Sequence, residues 1–119
     1  MKKKILIYDD DEEILFLCKA ILSTEDFEVE TLSRCEKILS DIQSIKPNLI
    51  LMDLWIPEIG GEKAIEIMKQ NESTKQIPVL LFSANADIKD ISKKVNANGY
   101  VAKPFAVSTF IETIQKHMS

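Results

Sequence analysis

Short apolar runs recur along the chain and constrain its fold more than any other feature of the sequence. Ile5 to Tyr8 is continuously apolar and too short for a helix, which favours a strand that is buried on both faces. Leu49 to Asp53 and Pro78 to Ser83 show the same pattern, whereas Phe27 to Leu32 alternates between apolar and polar residues. Together with Tyr100 to Ala102 they predict five strands, and burial on both faces is typical of a parallel sheet.

Helical periodicity fills the segments between the predicted strands. Apolar residues recur there at spacings of three and four, which places them on one face of a helix. The predicted helices lie within Ile14 to Leu22, Ile38 to Ile45, Ala64 to Met68, Asp87 to Val95 and Val107 to Ile114. A loop from Leu54 to Gly61 is expected before the third of them. Strands that alternate with helices predict a single α/β domain over residues 1–119, with helices on both faces of a doubly wound parallel sheet.

Charge and composition exclude several classes of protein. The 15 basic and 19 acidic residues give a formal net charge of -4, and Arg34 is the one arginine. A nucleic-acid partner is therefore not expected, because phosphate binding requires a basic surface and base recognition relies on arginine. No apolar run reaches the roughly 18 residues that span a bilayer, and no signal-peptide pattern begins the chain. We therefore expect a cytoplasmic protein that does not bind membranes.

Two further features have structural interpretations. Cys18 and Cys35 lack the spacing of a metal site or a redox pair, so we expect both to lie in predicted helices as small core or surface residues. Lys2 to Lys4 precede the first apolar run and are expected to form a solvated entry to its strand. Neither feature points to chemistry.

Polar side chains with complementary chemistry follow the ends of four predicted strands. Asp9 and Asp10 follow the first strand and Asp53 ends the third, while Ser83 ends the fourth and Lys103 follows the fifth. The carboxyl ends of parallel strands meet at one edge of the sheet, where ligands of such folds bind. Three carboxylates there repel one another, and Mg²⁺ is the hard cation that accepts a sparse set of oxygen ligands. The sequence therefore predicts a magnesium site at this edge.

The same strand ends suit phosphoryl transfer. Lys103 supplies an ammonium and Ser83 a hydroxyl, and with Mg²⁺ they would neutralise a dianionic phosphoryl group. A carboxylate of the cluster is then a candidate nucleophile that forms an aspartyl-phosphate. Each residue also has a structural interpretation, since Asp9 to Asp11 suit the cap of the first helix and Ser83 suits a turn. The conjunction of four strand ends favours the functional interpretation.

Four motifs contain these residues and the strands before them. They are ILIYDDDEE from Ile5 to Glu13, LILMDLWIPEIGG from Leu49 to Gly61, PVLLFSA from Pro78 to Ala84 and GYVAKPF from Gly99 to Phe105. In this order and near this spacing, they resemble the receiver domains of two-component response regulators. Each motif is weak by itself, and four in register are specific. The resemblance implies a flavodoxin-like sheet with strand order 2-1-3-4-5.

The resemblance also implies a role for each acid. Asp53 would accept the phosphoryl group from the phosphohistidine of a sensor histidine kinase or a histidine phosphotransfer protein. Asp9 and Asp10 would hold Mg²⁺ together with Asp53 and the backbone carbonyl of Trp55. Asp11 lengthens the acidic run, so a shift of the metal pair by one residue stays open.

The resemblance further implies a signalling switch rather than a metabolic enzyme. Ser83 and Lys103 would contact the phosphoryl oxygens, and the Ser83 hydroxyl would move toward them while Tyr100 turns inward. This change would alter the surface formed by the fourth helix, fifth strand and fifth helix, through which an unidentified downstream protein binds. A monomer or a weak dimer linked to phosphorylation is expected, and the Lys103–Pro104 peptide bond is expected to be cis.

Two alternative functions stay open. In an aspartate-nucleophile phosphatase, Asp9 would attack the substrate and Asp11 would act as the acid, although the chain offers little room for a substrate cap. In a phosphorylation-independent interaction module, the fold would bind partners without accepting a phosphoryl group, although the intact acidic site argues against it. The segment from Ser83 to Lys103 also looks short for the family, which predicts a short fourth helix or preceding loop.

Overall fold

The computed structural model describes residues 2–56 and 60–118 and contains one five-stranded sheet. Every neighbouring pair of strands is parallel, and the order β2-β1-β3-β4-β5 confirms the predicted topology. The strands are β1 (Lys3–Tyr8), β2 (Phe27–Leu32), β3 (Leu49–Asp53), β4 (Val79–Ser83) and β5 (Gly99–Ala102). The helices are α1 (Glu12–Ser23), α2 (Ile38–Ile45), α3 (Gly60–Lys69), α4 (Ile88–Lys94) and α5 (Val107–Met118).

Two apolar cores lie on opposite faces of the sheet. Side chains alternate along β1, so that Leu6 and Tyr8 face α2, α3 and α4 while Ile5 and Ile7 face α1 and α5. β3 and β4 are buried along their whole length, which explains why their sequences are continuously apolar. The two layers of helices leave the two ends of the sheet as the places where polar side chains gather.

Some predicted boundaries are corrected by the structure. The third helix begins at Gly60, inside the expected loop of residues 54–61, and residues 57–59 of that loop lie outside the described residues. Cys18 lies in α1, but Cys35 was wrongly assigned to a helix, because it precedes α2 and its carbonyl accepts a hydrogen bond from the Ile38 amide. Both thiols are buried and free. The fourth helix is short, with seven residues.

The amino-terminal lysines have a function in the fold that the sequence interpretation left out. The Lys3 ammonium donates to the carbonyl of Met118 at 2.9 Å, and the Lys4 ammonium donates to the carbonyl of Ile45 at 3.0 Å. These carbonyls end α5 and α2, where a helix lacks internal donors and where a positive charge is favourable. The entry to β1 is therefore tied to the ends of two helices.

The start of α3 lies directly against the end of β3. The Gly61 amide donates to the carbonyl of Leu54 at 3.2 Å, and a Cβ at Gly61 would collide with the backbone carbonyl of Asp53. Only glycine permits this approach, so its place in the motif has a steric cause. Across residues 2–56 and 60–118, no helix has both the length and the apolar character that crossing a bilayer requires.

Candidate functional site

Four strands deliver the predicted site residues to one edge of the sheet. Asp9 follows β1 directly, Asp53 is the last residue of β3 and Ser83 is the last residue of β4. Lys103 follows β5, and its backbone amide donates to the carbonyl of Ser83 at 2.9 Å. Because parallel strands in register end side by side, residues that are 94 positions apart in the chain come into contact here.

Lys103 connects two buried carboxylates. Its ammonium nitrogen lies 2.6 Å from Oδ2 of Asp9 and 3.3 Å from Oδ1 of Asp53. Both acids are buried, whereas the lysine side chain keeps 17% of its surface exposed. An ammonium has three N–H groups, so two of them can serve these contacts while a third is left for another acceptor.

Asp10 completes an acidic cluster with Asp9 and Asp53. Carboxylate oxygens of the three residues lie within 4.8 Å of one another, with Asp10 on the exposed side. One lysine cannot neutralise three carboxylates, and oxygen atoms alone are the ligand set that Mg²⁺ prefers. The cluster therefore fits a hard divalent cation. Trp55, whose carbonyl was expected to join it, lies two residues after Asp53 with its side chain 66% exposed.

Asp11 has a different role from its two neighbours. Its carboxylate accepts hydrogen bonds from the amides of Glu13 and Ile14 at 3.0 and 3.3 Å, which makes it the N-cap of α1. Its own amide donates to Oδ1 of Asp9 at 2.9 Å, which orients that acid. The metal-competent cluster found among the described residues thus contains Asp9 and Asp10 and leaves Asp11 out.

The electrostatics of the site are unfavourable for the charge of Asp53. Burial raises the pKa of Asp53, and the charge of Asp9 raises it further, while Lys103 opposes both effects. Burial disfavours the charge of Lys103, but its hydrogen bond to Asp9 and the charge of Asp53 outweigh that effect, and its pKa is raised. A cation is therefore held firmly beside a carboxylate that is short of neutralising charge, which is a favourable setting for an incoming phosphoryl group and its metal.

The two predicted switch residues lie at the border of the site. The Ser83 hydroxyl is buried and accepts a hydrogen bond from the amide of Asn85 at 3.1 Å. Tyr100 lies on β5 with 39% of its surface exposed, so its ring is at the surface rather than in the core. The Lys103–Pro104 bond is cis, as expected from the resemblance.

Two side chains near the site escaped the sequence analysis. The Lys103 ammonium lies over the ring of Phe82, 4.5 Å from its centroid. The buried Tyr8 hydroxyl, next to Asp9 in the chain, donates to Asp41 on α2 at 2.7 Å, and burial followed by that hydrogen bond raises the pKa of Tyr8. Both aromatic residues lie in apolar runs, so the sequence predicts that they are core residues. Their contacts with Lys103 and Asp41 become visible only in the folded structure.

Comparison with known proteins agrees with this geometry. The profile of the response regulator receiver domain family matches residues 5–115. The chain is 31% identical to the polar-differentiation response regulator DivK of Brucella suis over 122 residues, which cover 99% of the chain and 98% of DivK. It is 34% identical over 109 residues to the alkaline phosphatase synthesis transcriptional regulatory protein PhoP of Bacillus subtilis, covering 89% of the chain but 44% of PhoP.

Solved structures show the same fold. A putative response regulator from Chloroflexus aurantiacus superposes with a TM-score of 0.93 at 27% identity, covering 99% of the chain and 98% of that structure. The chemotaxis protein CheY4 of Vibrio cholerae superposes with a TM-score of 0.88 at 25% identity, covering 98% of the chain and 99% of that structure. With the family profile matched over nearly its whole length, the chain belongs to the response regulator receiver domains of two-component signalling.

Proposed function

We propose that Asp53 accepts a phosphoryl group from the phosphohistidine of a sensor histidine kinase or a phosphotransfer protein. The observation that carries this proposal is the position of Lys103, whose ammonium contacts Asp53 and Asp9 at once. A carboxylate oxygen of Asp53 attacks phosphorus and forms a P–O bond. The P–N bond of the donor breaks, and its electron pair returns to the imidazole nitrogen.

The residues of this chain would support that step by charge and position. The Lys103 ammonium lies 3.3 Å from Oδ1 of Asp53 and can donate to a phosphoryl oxygen with the N–H group that its two carboxylate contacts leave over. Asp9, Asp10 and Asp53 would hold Mg²⁺, with the Trp55 carbonyl as a further ligand. When bound, Mg²⁺ supplies positive charge that neutralises the phosphoryl oxygens.

Phosphorylation would then act as a switch. The phosphoryl group adds a charge of about -2 next to Lys103, and Ser83 would donate its hydroxyl to it. Tyr100 would turn inward and alter the surface formed by α4, β5 and α5, where a downstream protein binds. Tyr100 borders a cavity of about 390 Å³ beside β5 and the start of α5.

We also propose that residues 1–119 act as a single receiver domain in the cytoplasm, as a monomer or as a weak dimer that phosphorylation strengthens. The phosphatase alternative gains no support, because Asp11, its expected acid, is engaged by two amides as a helix cap.

Intact-protein mass spectrometry tests the acceptor directly. The chain and its Asp53→Asn variant are incubated with acetyl phosphate, with and without Mg²⁺. We expect one added phosphoryl mass that requires Mg²⁺ and is absent in Asp53→Asn. Absence of the adduct under every condition, together with Trp55 fluorescence that does not respond to Mg²⁺ and beryllofluoride, would favour the phosphorylation-independent interaction module.

A further inference from the structure

Phe82 lies next to two residues of the proposed reaction, Asp53 and Lys103, and has no role in that reaction as described above. It is fully buried in β4, next to Ser83 in the chain, and it pairs with Asp53 in the register between β3 and β4. Its ring supports the ammonium of Lys103, whose nitrogen lies 4.5 Å from the ring centroid. One side chain therefore lies beside the strand position of the acceptor and under the cation that contacts it.

Other aromatic rings hold Phe82 in place. Its centroid lies 5.7 Å from that of Phe105 and 5.9 Å from that of Phe110, and the latter two are 4.5 Å apart. Phe105 follows Lys103 closely in the chain, and Phe110 is buried in α5. Rings packed at these distances restrict one another, so the face presented to Lys103 is fixed by the core rather than by the site.

The ring solves a physical problem of the lysine. Burial disfavours the charge of Lys103. Its ammonium contacts the carboxylate of Asp9 at 2.6 Å and that of Asp53 at 3.3 Å. An aromatic face attracts a cation through its quadrupole, and this attraction does not depend on the direction of an N–H bond. The ammonium can therefore turn from one oxygen to another while the ring continues to stabilise its charge.

We propose that Phe82 is a positioning residue for phosphoryl transfer, which holds the Lys103 ammonium at Asp53 through a cation–π contact. The proposal rests on the function proposed above. The face of this ring, and not only its volume, then sets the rate at which Asp53 is modified. A leucine fills much of the same core but offers no quadrupole.

Matched variants separate the ring face from core packing. Phe82→Leu and Phe27→Leu make the same substitution in one apolar core, but Phe27 begins β2 at the amino end of the sheet, whereas Phe82 lies under Lys103. We expect Phe82→Leu to slow Mg²⁺-dependent phosphorylation by acetyl phosphate roughly threefold to tenfold relative to Phe27→Leu, as the loss of a partly desolvated cation–π contact implies. Equal rates in the two variants, with equal thermal stability, would overturn the proposal.

Two further measurements keep the test decisive if Phe82→Leu folds poorly. Increasingly fluorinated phenylalanines at position 82 keep the shape of the ring and weaken its quadrupole, so the rate should fall stepwise along the series. Proton NMR without metal or phosphodonor should show the Lys103 ε-methylene protons shifted upfield by the Phe82 ring current, and unshifted in Phe82→Leu. A rate that ignores fluorination, or ε protons at ordinary positions in the wild type, would contradict the proposal.

The NMR result also separates the Phe82–Lys103 contact from the proposed phosphorylation of Asp53. A ring-current shift in a protein that no phosphodonor modifies would retain the Phe82–Lys103 contact and reject the proposed function. A protein that is phosphorylated but lacks the ring-current shift would retain the proposed function and reject the Phe82–Lys103 contact.

Discussion

The two ends of the sheet treat charge in opposite ways. At the amino end, the ammonium groups of Lys3 and Lys4 meet the carbonyls that end α5 and α2, so each charge has a complementary partner. At the carboxyl end, Asp9, Asp10 and Asp53 lie close together, Lys103 contacts two of them, and burial raises the pKa of Asp53. The same strands carry both ends, so the difference arises from the residues placed there and not from the fold.

Asparagine side chains show the same contrast. Asn48 exchanges hydrogen bonds with the backbone of Lys4 at 2.7 Å, and Asn98 accepts from the Val79 amide at 3.0 Å. These contacts close the amino end with neutral, satisfied groups. The carboxyl end keeps a cluster of three acids that one lysine does not neutralise. Charge is therefore matched at one end of the sheet and left unbalanced at the other, as expected where a function requires unfavourable charge.

Removal of Lys103, which contacts two acids of the cluster, should have the largest effect on stability. Lys103→Met leaves Asp9 and Asp53 buried without a positive partner, which should lower the free energy of unfolding by about 3 kcal/mol at neutral pH. Lys103 lowers the pKa of Asp53, so its loss raises that pKa further. As the pH falls, Asp53 of the folded variant therefore binds a proton while the same residue of the unfolded chain is still ionised. This uptake favours the folded state, so the loss of unfolding free energy should become smaller as the pH falls.

Urea denaturation at neutral and mildly acidic pH measures this deficit. Lys94→Met is the matched control, because Lys94 is exposed and lies 3.8 Å from Glu62 in a surface ion pair. A deficit in Lys103→Met that is as small as in the control, or that grows on acidification, would contradict the prediction.

Removal of one acid at the same end should have a smaller effect of opposite sign. Asp53→Asn keeps the shape of the side chain and removes a charge that burial and Asp9 both disfavour. We expect this variant to be more stable than the wild type by roughly 1 kcal/mol at neutral pH, while it loses the proposed phosphoacceptor. Because the pKa of Asp53 is raised in the folded state, the gain should decrease as the pH falls and the wild-type carboxyl protonates. Thermal unfolding in metal-free buffer tests this, and a less stable Asp53→Asn would show that the Lys103 contact dominates.

The smallest effect is expected at the amino end. Lys4→Met removes the donor to the Ile45 carbonyl and one favourable charge at the end of α2, which should cost about 0.5 kcal/mol. Lys2→Met is the control, since Lys2 is exposed and lies 3.9 Å from Asp26. The denaturation midpoint of Lys4→Met should be lower than that of Lys2→Met at every pH. Equal midpoints would show that the contact of Lys4 with the end of α2 does not stabilise the fold.

The sequence predicts the strands well because their burial leaves a direct trace in composition. Runs such as Leu49 to Asp53 and Pro78 to Ser83 are apolar on both faces, and the sheet topology then gathers Asp53 and Ser83 at one edge. Pro78 itself falls just outside β4, and its carbonyl accepts from the Ile50 amide at 2.9 Å. The placement of these polar side chains at one edge of the sheet therefore follows from the sequence.

Contacts across the register were not accessible in the same way. Asp10 and Asp11 are equivalent in the sequence, and only the capping geometry of α1 separates them. Phe82 reads as core because the partner above its ring, Lys103, lies on another strand end. Lys4 reads as solvated because the carbonyl it reaches belongs to a helix 41 residues away. Such roles depend on pairwise distances that periodicity does not contain.

Trp55 gives the domain an optical property of its own. It is the single tryptophan in the chain, it stands two residues beyond Asp53, and its indole is largely exposed to water. Its emission is therefore free of background from other indoles and comes from the loop that adjoins the acidic cluster. The wild-type sequence thus contains a built-in fluorophore two residues from Asp53, so that time-resolved spectroscopy can follow events at this edge without any added label.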